Sequence, residues 1–126
     1  MEKPHYRLNC WKDSFTLSVD LYKITRNFPS DEKFGIISQV RRAATSIPVN
    51  IAEGAARNST KEFIQFLYIS LGSLSELDTF LLLCLELGYL ENEVGQKHLS
   101  ELDRIGKQIT GLIKKLKSDI NNKIEK

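Results

Sequence analysis

The chain is poor in the residues that cross-link, break or anchor a fold. Its two cysteines, Cys10 and Cys84, lie far apart and form no CxxC pair, so we predict neither a disulfide nor a metal site. Three prolines, seven glycines and no alternating run of β-branched residues leave little support for strands. The longest apolar run, 80–85, is too short to cross a bilayer, and the N-terminus lacks the apolar core of a signal peptide. We therefore expect a cytoplasmic, helical protein without a membrane partner.

The composition is that of one folded domain. Apolar residues make up 41% of the 126 residues and charged residues 27%, which excludes a mainly disordered chain. We predict a single four-helix bundle domain over 1–126, of which about residues 1–12 form an N-terminal arm. Charge is uneven: 73–103 hold seven acids against one base, whereas 104–126 hold seven bases against two acids. This polarity suits nucleic acid or the pairing of one subunit with another.

Capping residues predict where the first two helices begin and end. Asp13 or Ser14 can cap a first helix, and Pro29 stops it, because the residue before a proline disfavours the helical conformation. Ser30 can cap a second helix, whose first turn would contain the two acids that follow it. The apolar seams, meaning the residues expected to face the core, are Leu17, Leu21, Ile24 and Phe28 in the first helix and Ile37, Val40, Ala44, Ile47 and Ile51 in the second.

Two further helices follow. Ser59 and Glu62 form the S-x-x-E pattern of a capping box, and Gly88 is placed to end this third helix in a left-handed conformation. The fourth helix follows the turn at 88–92. The seams are Phe63, Leu67, Ser70, Leu74, Leu77, Leu81 and Cys84 in the third helix and Leu99, Leu102, Gly106, Ile109, Ile113, Leu116 and Ile120 in the fourth. Four helices with short links predict an all-α, antiparallel up-down four-helix bundle.

The third helix also predicts self-association. Its first half, 63–74, is apolar almost all round, and one bundle cannot bury every such face. The simplest second burial partner is another copy of the chain, and the low bulk of Gly72 and Ser73 would let two helices approach closely.

The segment 38–57 combines a helical apolar period with features that a plain core helix does not need. Its polar positions fall on one face, about 200° from the seam. They are Gln39, Arg42, Ser46, Asn50, Glu53 and Arg57.

The arginines of this segment admit two interpretations. Arg41 lies about 100° from Arg42, and Arg57 can share the face of Arg42. Guanidinium groups suit phosphate, so these three residues are candidates for nucleic-acid contact. Alternatively, Arg42 pairs with Glu53 or with an acid of a neighbouring subunit.

Pro48 predicts a kink, because it lacks an N–H and its ring clashes with the carbonyl of Ala44. We expect this curvature to let Asn50 and Glu53 reach backbone groups, as a structural polar network with Gln39, Ser46 and Pro48 itself. An acid and an orienting amide at this spacing could also serve catalysis. However, no nucleophile, second carboxylate, phosphate-binding loop or metal-ligand spacing accompanies them. We therefore predict no enzyme activity, no cofactor and no metal.

The C-terminal bases, among them Lys114, Lys115 and Lys117, follow the surface of the fourth helix. One interpretation is a solvated helix face. The other is a nucleic-acid surface, whose field would multiply if several subunits repeat it. Aromatic stacking platforms are absent from this region, so binding would be directed at the backbone with weak sequence specificity.

Four strings carry a resemblance to a known family: FP at 28–29, QVRRAA at 39–44, SIPVNIAEG at 46–54 and LGSLSEL at 71–77. In this order and spacing, the chain resembles, over about 11–90, small bacterial four-helix-bundle proteins encoded within intervening sequences of 23S ribosomal RNA genes. The resemblance implies a ring-like homopentamer and a relation to the accessory protein of diversity-generating retroelements, which binds nucleic acid and a reverse transcriptase. We thus expect a non-enzymatic oligomer that binds RNA or DNA or, alternatively, a module that docks a partner protein such as a polymerase.

Overall fold

The structure, a computed structural model, describes the backbone of residues 2–125 and the side chains of residues 2–123. Within this range the chain is helical and contains no strand. It consists of two short 3₁₀ turns, Pro4–Arg7 and Ser30–Glu32, and the helices α1 (Asn9–Thr25), α2 (Ile36–Ala55), α3 (Thr60–Glu86) and α4 (Asn92–Glu125). The predicted domain limits, residues 1 and 126, lie outside the described residues.

The four helices form a closed square. Helix α1 packs against α2 and α4, and α3 packs against the same two helices, whereas α2 and α4 lie diagonally without contact in the described part of the chain. Contacts between early residues of one helix and late residues of the next show that neighbours run antiparallel. Tyr68 of α3, for example, accepts a hydrogen bond from Lys117 of α4. The predicted antiparallel up-down bundle is confirmed.

Helix α1 begins four residues earlier than Asp13, the earliest predicted start. The N–H groups of Trp11 and Lys12 both donate to the carbonyl of Leu8, and no side chain caps the helix. Burial explains the early start, because Cys10, which is 3% exposed, joins the hydrophobic core and draws the first turn onto the bundle. Residues 9–12 are therefore helical and not part of an arm.

The link between α1 and α2 also differs from the prediction. Helix α1 ends at Thr25, and Ser30 opens a separate 3₁₀ turn instead of capping α2. Gly35 interrupts the helix with φ −107° and ψ −115°. Tyr89 donates a 2.9 Å hydrogen bond to the Glu32 carboxylate, whose other oxygen would lie 2.8 Å from a Cβ at Gly35. Glu32 thus ties the 3₁₀ turn to the residues that follow α3, and α2 begins after Gly35, at Ile36.

Both predicted ends of α3 are present. The Glu62 N–H donates to Ser59 Oγ at 3.3 Å. At the other end Gly88 has φ 76°, the only positive φ among the described residues. The N–H of Gly88 donates to the carbonyl of Leu85, and the N–H of Tyr89 to that of Cys84. These two bonds form a Schellman motif, which satisfies carbonyls that the helix end leaves free.

The core lies along the seams of all four helices. The five predicted seam residues of α2 are all buried. The fourth-helix seam needs correction, because Ile105 and His98 are buried, whereas Gly106 is only partly covered. Glycine at 106 packs beside Leu74, where a Cβ would make an ordinary contact at 3.6 Å.

Candidate binding surfaces around helix α2 and along helix α4

Arg42 belongs to an ion pair between α2 and α3. Its Nη2 lies 2.7 Å from Glu76 Oε2, and the same nitrogen donates to Gln39 Oε1 at 3.0 Å. The side chains of both charged partners are about half exposed, at 53% and 45%. The acid that Arg42 contacts is therefore on α3 of the same chain, and not Glu53.

Arg57 is also engaged within the chain. Its guanidinium lies 3.6 Å from the Glu53 carboxylate and 5.0 Å from the centre of the Phe66 ring. Glu53 is 51% exposed and, in the described contacts, pairs with Arg57 instead of with a backbone group. Together with Arg42, this arginine lines the side of α2 that faces α3.

Arg41 points to the opposite side of α2, toward α1. Its Nε donates to Thr25 Oγ1 at 2.9 Å and its Nη2 to the carbonyl of Tyr22 at 3.2 Å. The guanidinium carbon also lies 4.5 Å from the centre of the Tyr22 ring. The three arginines predicted as one nucleic-acid surface are therefore divided between the two sides of α2.

Pro48 leaves the carbonyl of Ala44 without its usual partner within the helix, because proline has no N–H. Ser18 of α1 offers a donor there: its Oγ lies 3.0 Å from the Ala44 carbonyl and 2.9 Å from the Ser14 carbonyl of its own helix, and these two acceptors share its one proton. On the other side, Ser70 of α3 donates to the carbonyl of Ile47 at 3.0 Å. Two serines on neighbouring helices thus satisfy the backbone around the proline, and the sequence analysis did not foresee this role for Ser18 or Ser70.

The polar positions near Pro48 form a small network. Asn50 donates to the Ser46 carbonyl at 2.8 Å and to the Ser46 Oγ at 3.0 Å. Ser73 of α3 donates to the same Oγ at 2.8 Å. This network joins α2 to α3 and leaves Glu53 at its exposed edge.

The basic surface of α4 lies on another side of the bundle from the α2 arginines, since α2 and α4 are diagonal. Lys107 and Lys114 line an open groove beside α3, and Lys115 is exposed. Lys117 is engaged within the chain, with Nζ 2.8 Å from Tyr68 Oη. The predicted lysines therefore include free and engaged members, and they do not share a face with the arginines.

A further groove, between α1 and α2, was missed by the sequence analysis. It has a volume of about 470 Å³ and is lined by apolar side chains that solvent reaches. Phe15, Val19, Tyr22 and Val49 are 51%, 40%, 40% and 59% exposed. The signal was present in the spacing, because Trp11 and the three residues of α1 follow one another at intervals of 4, 4 and 3 beside the buried seam.

The buried titratable groups of the described residues include two thiols and one imidazole. Burial raises the pKa of both Cys10 and Cys84 from 9.0 to about 11, so the thiols are protonated at neutral pH. Buried His98 lies 3.3 Å from Glu101 on the same helix. Within the described residues, no three His, Cys, Asp or Glu side chains are grouped closely enough to hold a metal ion.

The length and composition of helix α3 would allow it to cross a membrane. Core helices of soluble proteins meet the same criteria, so this is weak evidence for a membrane span. The expectation of no membrane partner stays a prediction.

The fold is that of a small antiparallel four-helix bundle. A family model described as 23S rRNA-intervening sequence protein matches residues 6–111, and the chain belongs to this family. A crystal structure from Bacteroides thetaiotaomicron, of a protein with unknown function from the S23 ribosomal protein family, is similar with a TM-score of 0.77 and 25% identity. The similarity covers 83% of this chain and 95% of that one. No curated protein matches the chain.

Proposed function

We propose that this protein is a non-enzymatic, oligomeric scaffold of the cytoplasm that binds RNA or DNA with little preference for sequence. The observation that carries the proposal is the exposed row of bases on α4. Arg104, Lys107, Lys114 and Lys115 recur along the solvent side of this helix, opposite the buried seam.

These bases are largely free to meet phosphate. Within residues 2–123, no carboxylate lies within 4.0 Å of the ammonium groups of Lys107, Lys114 or Lys115. Arg104 forms an ion pair with Asp13 at 3.5 Å, but 58% of its side chain remains exposed, so the three lysines are the free members of the row. Surface cations of this kind release counterions when they contact phosphate, and such binding carries no base readout.

Oligomerisation is supported by an apolar ridge on α3, formed by Tyr68, Ile69, Leu82, Leu83 and Leu87. These apolar side chains lie on the outside of the bundle and are between 46% and 55% exposed. Gly72 lies on the same side, and a Cβ there would meet no atom within 4 Å. The ridge has an early and a late part, with the exposed residues Gly72, Ser75, Glu76 and Thr79 between them. Exposed apolar side chains of this number favour burial against another protein surface. The family resemblance implies a ring of five copies, which would repeat the α4 bases around one assembly.

Salt dependence tests nucleic-acid binding. The affinity of a labelled duplex should fall steeply between about 50 and 200 mM salt, because released counterions drive binding. Changing Lys107, Lys114 and Lys115 together to Gln should reduce the slope of log affinity against log salt by up to about three. The matched control changes Lys3, Lys33 and Lys61 to Gln. These lysines are also exposed but lie elsewhere, so their slope should stay close to that of the wild type.

Two results would contradict this part of the proposal. Absence of binding at low salt would exclude nucleic acid as a partner. Equal slopes for the two triple variants would show that the α4 bases are a solvated helix face.

Light scattering tests the assembly. The wild type should have a mass several times 14.4 kDa, near five subunits. Replacing Ile69 and Leu83 with Glu places charges on the ridge and should give monomers. Phe34→Glu is the control, since Phe34 is 89% exposed and lies away from α3. A wild type that stays monomeric at micromolar concentration would contradict self-assembly, and would favour the alternative that the ridge docks a different protein, such as a polymerase.

A further inference from the structure

The groove between α1 and α2 has a row of aromatic rings along one edge. The centres of the Trp11 and Phe15 rings are 5.2 Å apart with an interplanar angle of 34°, and Tyr6 extends the row at 5.3 Å from Trp11. Tyr22 lies at the far end of the same edge. Val19 separates Phe15 from Tyr22, so the aromatic positions from Trp11 to Tyr22 are spread over about 16 Å of helix. Trp11 contacts the rings on both sides of it, and Phe15 and Tyr22 remain open to solvent.

The charged residues that line this groove are all positive. Lys23 and Arg26 line it, and none of its described lining residues is acidic. No carboxylate lies within 4.0 Å of either cation among residues 2–123. Arg41 lies against the Tyr22 ring, where two hydrogen bonds to α1 fix its guanidinium. Lys23 and Arg26 are both exposed at the end of α1, so the phosphate backbone of a strand whose bases lie in the groove could pair with them.

We infer that this groove is a stacking site for single-stranded nucleic acid, an inference that rests on the proposed function and names the strand form that it recognises. Bases stack on aromatic side chains whatever their identity, and cations beside the rings track the phosphates. Aromatic positions spread over about 16 Å can meet more than one base of the same strand. A duplex keeps its base faces stacked inside and cannot use the rings. The groove therefore adds a preference for single strands to the electrostatic binding of α4.

The single tryptophan of the chain makes the site observable, because Trp11 lines the groove. Titration with a dT oligonucleotide of about twelve nucleotides at low salt should quench the Trp11 fluorescence, and a duplex of the same length should quench it far less. Phe15→Ala should weaken single-strand binding at least about five-fold, since one stacked base is lost. Phe34→Ala is the matched control: it removes an 89% exposed ring outside the groove and should leave affinity unchanged.

Other results of this titration would distinguish failure of the groove site from failure of the proposed function. Binding of the oligonucleotide without quenching, and with equal affinity for the two variants, overturns the groove site and leaves the proposed function standing. Absence of binding to any nucleic acid at low salt overturns both. If a second copy of the chain occupies the groove, Trp11 emission will change with protein concentration alone and Phe15→Ala will lower the mass measured by light scattering. That result also overturns the stacking site.

Discussion

The two sides of α2 differ in how completely the chain uses them. On the side facing α3, Arg42 and Arg57 have acidic partners on the protein, and serine and asparagine hydroxyl and amide groups are hydrogen-bonded to one another. On the side facing α1, apolar rings are half exposed, and the cations Lys23 and Arg26 have no acidic partner in the described residues. Both sides of α2 are bonded to the neighbouring helix, but only the side facing α1 borders an open apolar groove.

The close packing of the α3 side gives the largest expected effect. A Cβ at Gly54 would lie 2.7 Å from Phe66 Cβ and 2.9 Å from a Phe63 ring carbon. Gly54→Ala should therefore lower the free energy of unfolding by about 1–3 kcal/mol. In the control Gly111→Ala, the new methyl meets no atom within 4 Å and should raise it by up to about 1 kcal/mol. Urea denaturation measures both, and equal effects would show that α2 and α3 are not in close contact at Gly54.

The backbone beneath the open groove provides the next test. Ser18→Ala should cost about 1–3 kcal/mol of unfolding free energy, because it leaves the buried carbonyl of Ala44 unpaired. In a Pro48→Ala background, residue 48 regains an N–H that can bond this carbonyl, so the cost of Ser18→Ala should be clearly smaller. A double-mutant cycle measures the difference. Equal costs in both backgrounds would contradict the pairing of Ser18 with the proline.

The core shared by both sides predicts a pH dependence. The buried thiols of Cys10 and Cys84 have a pKa of about 11 in the fold, against 9.0 without burial. The unfolded chain therefore loses these protons first. The contribution of these two thiols to the free energy of unfolding is fully present below about pH 9 and is lost as the pH rises through about 11. Urea midpoints measured across this range should fall, and replacing both cysteines with Ala should flatten the decline. A decline unchanged in that variant would assign it to other groups.

Glu53 gives the smallest expected effect on folding. The sequence analysis expected it to reach a backbone group near Pro48, but the side chain is half exposed and lies 3.6 Å from Arg57 one turn away. Glu53→Ala should change the unfolding free energy by about 0.5 kcal/mol or less. A loss above about 1 kcal/mol by thermal unfolding, at a concentration where the oligomer mass is unchanged, would show a tighter role within the chain.

The helical periodicity of the apolar residues predicted most of the fold. Apolar spacing located the seams of α2 and α3, and local capping chemistry at Ser59 and Gly88 located the ends of α3. The start of α1 was missed because burial of Cys10 outweighs the absence of a capping side chain. The start of α2 was also missed, because Ser30 opens a 3₁₀ turn instead. This turn is bonded to Tyr89 through Glu32, a contact between residues far apart in sequence that leaves no local signal.

The candidate binding surfaces were harder to predict from the sequence than the fold. Periodicity places Arg42 and Arg57 on one face, but it does not say which neighbouring helix supplies an acid such as Glu76. It also cannot show that the helix bearing these arginines is diagonal to α4. The aromatic stripe of α1 was visible in the spacing, yet only the packing of α2 beside it shows that the rings border a groove.

The most direct test of the difference between the two sides of α2 compares Arg26→Glu with Arg42→Glu. Both variants change the net charge by the same amount, so long-range electrostatics is matched. The measurement is the affinity for a short single-stranded oligonucleotide at one low salt concentration. We predict that Arg26→Glu, at the open groove, lowers the affinity on the order of ten-fold, because a phosphate contact becomes a repulsion. Arg42→Glu, beside Glu76, should leave it within about two-fold of the wild type, because this arginine is already paired within the chain. Equal losses of affinity in the two variants would contradict the account.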